Sequence, residues 1–164
     1  MNNKDNQKKP LSTGPHQFNM TDWISCAPFE NLLKMEIIEA SGGKAVLRMP
    51  FFIQLAQGAG LMHGGALVSL ADTAVVMAIK SIIPPHSHFG TISIETKFLY
   101  PVKEGIVTAK AEVVEHEGRI LKGEAVVYNK DEKPLIEFKS TFKVARDTNI
   151  KGINFSDSNP DQAL

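Results

Sequence analysis

The sequence has a single cysteine, Cys26, which excludes an intramolecular disulfide and fits a reducing compartment. No catalytic context surrounds that thiol, so it reads as an apolar filler. Net charge is lacking too, because 18 basic residues balance 18 acidic ones. That excludes a nucleic-acid protein reliant on a strong basic field, while leaving room for a small basic patch toward a phosphorylated ligand. The opening stretch, MNNKDNQKKP, is polar and runs into no apolar signal core. The longest apolar stretch, residues 64–83, approaches the length of a membrane span. However, Asp72 stands near its centre and Lys80 near its end, each costly in lipid, and no aromatic belt flanks it. No internal repeat is visible. His86 and His88 follow two prolines in a loop without a neighbouring ligand cluster, so nothing calls for a metal or another cofactor. A cytoplasmic protein with no membrane or nucleic-acid partner is expected.

What is present fits one domain of 164 residues, which can bury roughly two thirds of its unfolded surface without a staple. Residues 1–20 and 147–164 are expected to be polar flexible tails around an ordered domain at 21–146. Thr21-Asp22-Trp23 predicts the capped start of a short helix carrying Trp23 and Ile24, interrupted at Pro28. Two β-prone runs, Leu33 to Ala40 and Lys44 to Pro50, flank the turn Ser41-Gly42-Gly43 and predict a hairpin. A loop with Gln57, Gly58 and Gly60 leads into the long apolar helix, which Pro84-Pro85 ends. Four strand-like runs follow. In the first, Ile92, Ile94 and Phe98 share one face, and Ser93, Glu95 and Lys97 the other. The last three are Val107 to Val113, Ile120 to Tyr128 and Leu135 to Val144. Such alternation predicts antiparallel strands with one face buried and one wet.

The order is thus two strands, one long helix and four strands, an α+β class with an antiparallel sheet around a central helix. A helix apolar nearly all round cannot lie on a surface. The sheet covers one side of it. No second long helix exists to cover the other, so a partner subunit is the simplest cover.

The stretch that carries chemistry is QGAGLMHGGALVSLADTA, Gln57 to Ala74. His63-Gly64-Gly65 enters the helix. Two adjacent glycines each cost about 1 kcal/mol against alanine there, and their use is close approach of a ligand to the backbone. A helix N-terminus offers free N–H donors and partial positive charge, which can hold a developing oxyanion. Asp72 is the second anomaly, a carboxylate among Val68, Val75, Val76 and Ile79. It must be satisfied by backbone groups, by a salt bridge between subunits, or by a catalytic use, and desolvation would raise its pKa toward base or nucleophile chemistry. Gly64 and Asp72 lie about 12 Å apart along the helix, too far for one carbonyl to touch both. A two-fold dimer can bring Gly64 of one helix near Asp72 of its mate, giving two composite sites.

These residues resemble the hotdog-fold thioesterase superfamily, especially the PaaI-type branch of the phenylacetate pathway. The resemblance covers roughly Pro28 to Val144. Its most specific part is HGGALVSLADTA, flanked by PFENLLKMEIIEASGGKAVLRMP and FLYPVKEG. It implies a hotdog fold, an acyl-CoA thioesterase, and a homodimer or dimer of dimers. It further implies that Gly64 polarises the thioester carbonyl through its N–H. Asp72 of the opposite subunit would attack that carbonyl or activate water, and Gln57 would orient water or substrate. Thr91 would bring a hydroxyl near the carboxylate, and His63 would bond to the loop or position the thioester without acting as general base. Two positions depart from the pattern: Gln57 stands where many PaaI-type proteins have asparagine, and Val76 where some relatives have threonine. For the coenzyme A phosphates, Arg119 beside Gly118 is the first candidate, since a guanidinium binds phosphate in a bidentate way. Two other readings fit the same fold, a dehydratase or hydratase of acyl thioesters and a non-catalytic acyl-CoA binding module.

Overall fold

The computed structural model describes residues 13–146 and 156–157. In chain order its elements are β1 (His16–Gln17), α1 (Pro28–Leu32), β2 (Glu36–Ser41), β3 (Lys44–Pro50), α2 (Gly64–Lys80), β4 (Phe89–Phe98), β5 (Ile106–Glu117), β6 (Ile120–Tyr128), β7 (Pro134–Val144) and β8 (Ser156–Asp157), with a 3₁₀ turn at Ile53–Leu55. The chain divides into two units, one of residues 20–148 and one of the terminal segments. In the terminal unit β1 pairs in parallel with β8. Most of the sequence expected to form tails, residues 1–12, 147–155 and 158–164, lies outside the described residues.

The larger unit is a six-stranded sheet in the order β2-β3-β5-β6-β7-β4, antiparallel throughout. The expected order of two strands, helix and four strands holds. Hairpins join β2 to β3 and β5 to β6, with Ser41 opposite Lys44 and Glu117 opposite Ile120. Gly42 and Gly43 both adopt positive φ, as a two-residue turn of this hand requires.

Helix α2 lies in the concave side of the sheet. Leu67, Leu70, Ala71, Ala74, Val75 and Ala78 are buried with Leu47, Val107, Leu121 and Phe138 of the strands. The closest approach is at Gly123 of β6, where a Cβ would collide with the Val75 side chain. The helix is not covered all round. Gly65 is exposed, and Val68, Ser69, Asp72, Val76 and Lys80 are half-buried. Their spacing of three and four residues makes them one stripe on the side away from the sheet. On the strands, exposed lysine–glutamate pairs such as Lys44–Glu112, Lys122–Glu115 and Lys139–Glu124 mark the wet face. Pairs of this kind add little stability.

Two expectations need correction. Residues 21–25 form bends rather than a helix, and the short helix starts at Pro28. Proline has no N–H to lose at the first helical position, and its fixed φ suits that site, so Pro28 opens the helix that it was expected to interrupt. The second correction concerns β4, the edge strand beside β7. Its register shifts between Thr91 and Ser93, leaving Ile92 as the extra residue of a bulge. Ile94 and Phe98 face Ser140 and Ile136 across the ladder, and Thr91 faces Phe142. Directly opposed residues share a face, so Thr91, Ile94 and Phe98 all look toward the helix side, and Ile92 does not alternate with them. The apolar side of β4 is also not buried within the chain, with Ile94 47% and Phe98 57% exposed.

Candidate active site

Asp72 sits midway along the open stripe of α2. Its partner within the chain is the hydroxyl of Thr91, whose Oγ1 lies 3.3 Å from Oδ1 and 3.4 Å from Oδ2. Both separations are long for an O–H···O bond, and their near equality places the hydroxyl between the two oxygens. No ion pair among the described residues involves Asp72. Burial among valines pushes its pKa above the ordinary aspartate value, and the Thr91 bond pulls weakly the other way. The result is a carboxylate with raised proton affinity and no neutralising cation.

The N-terminus of α2 is built by His63. Its Nδ1 accepts the Gly65 N–H at 2.9 Å, and its carbonyl accepts the Ala66 N–H at 3.0 Å. Since Nδ1 is the acceptor, the neutral ring carries its proton on Nε2. The Gly64 N–H, just before these two committed amides, has no acceptor among the described residues. Both glycines sit close against a side-chain ring. A Cβ on Gly65 would stand 2.9 Å from His63 Nδ1, and a Cβ on Gly64 would stand 2.9 Å from Cε1 of Phe98. The backbone is therefore approached closely by the cap and by the β4 aromatic ring.

Gln57 precedes the helix in a tight loop. Its Oε1 accepts the Ala59 N–H at 2.7 Å, while its backbone bonds to Leu61 and Gly60. The amide oxygen is thus used by the loop, and the NH₂ group is left to donate. Gly118, at φ +56°, and Arg119 form the β5–β6 turn. Arg119 Nη1 donates to the Val144 carbonyl at 3.0 Å. Since Phe89 pairs with Val144, this turn lies at the sheet end that carries Thr91, and one guanidinium edge remains open.

The structure therefore forms two groups from the residues singled out in the sequence. His63, Gly64 and Gly65 meet at the helix N-terminus, with Gln57 in the loop that leads to it, while Asp72 and Thr91 meet two turns further along. Gly118 and Arg119 stand beyond the second group. Phe98 was missed as a neighbour of Gly64. Its place in the alternation of β4 gave only that it is apolar on the inner face.

A model of the thioesterase superfamily matches residues 59–136, a range that includes the Gly64 and Asp72 positions. A 1,4-dihydroxy-2-naphthoyl-CoA hydrolase from Listeria monocytogenes is 35% identical over 86 residues, covering 52% of this chain and 69% of that protein. The putative esterase ComA2 of Bacillus subtilis is 38% identical over 89 residues, covering 53% and 69%. Among solved structures, the conserved protein PA5202 of Pseudomonas aeruginosa superposes with a TM-score of 0.71 at 27% identity, over 75% of this chain and 97% of that one. The PaaI protein of the E. coli phenylacetic acid degradation operon superposes with a TM-score of 0.67 at 27% identity, over 73% and 85%.

Proposed function

This chain belongs to the thioesterase superfamily, with the hotdog fold, and from that premise we propose that it hydrolyses acyl-CoA at a site completed by two copies of itself. The reaction joins water to a thioester and yields a carboxylic acid and coenzyme A. The relatives named as hydrolase and esterase support hydrolysis over dehydration or plain binding.

In this reading the substrate carbonyl accepts a hydrogen bond from Gly64 N–H, at the positive end of α2. The partner subunit's Asp72 takes a proton from water, and the water oxygen attacks the carbonyl carbon. Negative charge collects on the carbonyl oxygen, against the Gly64 amide. Collapse breaks the C–S bond, and the departing thiolate recovers the proton from the carboxyl group. Thr91 orients the carboxylate, and the Gln57 NH₂ donates to water or substrate. His63 holds the first turn in place, Gly65 leaves it room, and Gly118 with Arg119 forms a rim for the coenzyme A phosphates.

The observation that carries this is a mismatch. An amide without an acceptor and a carboxylate without a cation lie eight residues apart on one open stripe, about 12 Å along the helix. One chain cannot apply both to one carbonyl. A second copy across a two-fold axis can, and the exposed apolar side of the β4 edge supplies a surface for it. A homodimer, or a dimer of such dimers, is the assembly proposed, with 21–146 as the catalytic domain. The free thiol of Cys26 suits the reducing cytoplasm.

The test is thiol release across a panel of acyl-CoA substrates, with Asp72→Asn as control. Turnover is expected to fall by about 10²–10⁴-fold in that variant, with the fold intact. Wild-type turnover in folded Asp72→Asn protein would refute the assignment.

A further inference from the structure

Beyond the carboxylate, the open stripe of α2 ends at Lys80. There a cavity of about 540 Å³ is lined by residues 20–23, Ala27, Lys80 and residues 86–88. None of these groups has a role in the proposed hydrolysis.

The cavity is held in shape. The Trp23 indole N–H donates to the Lys80 carbonyl at 3.0 Å. The Lys80 ammonium lies 4.9 Å from the indole centroid, in reach of a cation–π attraction. The His86 ring stands 6.1 Å from the same indole at a tilt of 50°. His86 has φ +65°, in a region that a non-glycine residue rarely occupies and that is tolerated where the surroundings fix it. Strained backbone thus brings an imidazole against an aromatic ring beside a lysine.

Lys80 carries the one formal positive charge of the lining. Lys44, Lys97, Lys110, Lys122 and Lys139 all reach glutamates, but Lys80 has no ion pair among the described residues. Glu30, its acidic neighbour, is occupied by the Ala27 N–H at 3.0 Å. Asp22 is the one carboxylate in the lining, and it is exposed, as are His86 and His88. The negative end of the helix is covered as well. The carbonyls of Met77, Ala78 and Ile79 accept from Ser81, Ile82 and Ile83, and that of Lys80 accepts from Trp23. No group of three His, Cys, Asp or Glu among the described residues could hold a metal ion. A cation therefore finds little to bind it. Burial also lowers the proton affinity of Lys80, a cost that a bound anion would relieve.

We propose that the cavity formed by Trp23, Lys80, His86 and His88 is a binding site for a phosphate group, separate from the Asp72–Thr91 pair. One ammonium and two imidazoles suit a tetrahedral anion with several acceptor oxygens better than a planar carboxylate with two. The same chemistry serves free phosphate or the phosphates of a nucleotide, and binding can distinguish the two.

Trp23 is the only tryptophan of the chain, so its fluorescence reports on this cavity directly. The full chain is titrated at constant ionic strength with inorganic phosphate, adenosine 3′,5′-bisphosphate and acetate. A saturable change is expected with the two phosphates and a much weaker one with acetate. Lys80→Gln should weaken phosphate binding about tenfold or more, the loss of one charge-assisted hydrogen bond. His88→Gln serves the same purpose if Lys80→Gln does not fold, as judged by circular dichroism. Tighter binding of the bisphosphate identifies a nucleotide as the occupant, and equal or weaker binding identifies a free anion. No saturable change with either phosphate, or a dissociation constant unaltered in the folded variant, would overturn the proposal.

Discussion

Thr91 reaches Asp72 because β4 carries one residue too many. The hydroxyl stands 3.3 and 3.4 Å from the two carboxylate oxygens, and it faces the helix because the register shifts at Ile92. In a regular strand, alternation would put Thr91 on the side of Ser93, away from the helix. The bulge thereby converts a wet position into a partner for the buried carboxylate.

Replacing that hydroxyl with a methyl group tests the pair without altering shape. The Thr91 bond lowers the Asp72 pKa against the larger effect of burial. Thr91→Val should therefore move the acid limb of the kcat/KM profile to higher pH. Turnover at neutral pH should fall about tenfold, the value of one hydrogen bond. A pH–rate profile of both proteins measures the effect.

Asp72→Asn should also stabilise the protein. Burial raises the folded pKa of Asp72 above its unfolded value, so ionisation opposes folding. Stability is highest below the unfolded carboxylate pKa and is lost as pH rises through the folded value. The variant escapes that loss. Thermal melts should show a higher Tm for Asp72→Asn at pH 7, and the gap should close below about pH 4.

Much of this was legible in the sequence. The glycine turns at Gly42-Gly43 and Gly118, with the alternation of the strands, gave the order of elements. The spacing from Gly64 to Asp72 gave two groups on one helix too far apart for one carbonyl to touch both. The bulge was not legible, because Ile92, Ile94 and Phe98 are all apolar and fit an unbroken period of two, and only the pairing with β7 displays the extra residue. The start of α1 was misplaced because Thr21-Asp22 resembles a cap, while the stronger signal was Pro28 at the first helical position. The apolar side of β4 was readable as apolar, but an alternating pattern does not say whether the same chain covers it.

Packing can be tested at Gly123. A Cβ there would collide with Val75, so Gly123→Ala should cost about 1–3 kcal/mol. Adding Val75→Ala makes room, and the double variant should be more stable than the sum of the single effects allows. Denaturant melts of the three variants measure the coupling.

The shared site is tested most directly by mixing subunits. One chain carries Asp72→Asn. The other carries Gly64→Pro, which deletes the amide at the helical position where proline is best tolerated, together with Phe98→Ala to clear the ring that lies 2.9 Å from the new Cβ. Phe98→Ala alone serves as the control against which loss of the ring is read. Each double-copy homodimer should be nearly inactive. A mixed dimer purified through two different tags holds one intact Gly64 opposite one intact Asp72, and it should recover about half the wild-type turnover per dimer. Mixed dimers no more active than either parent would contradict a site shared between two chains.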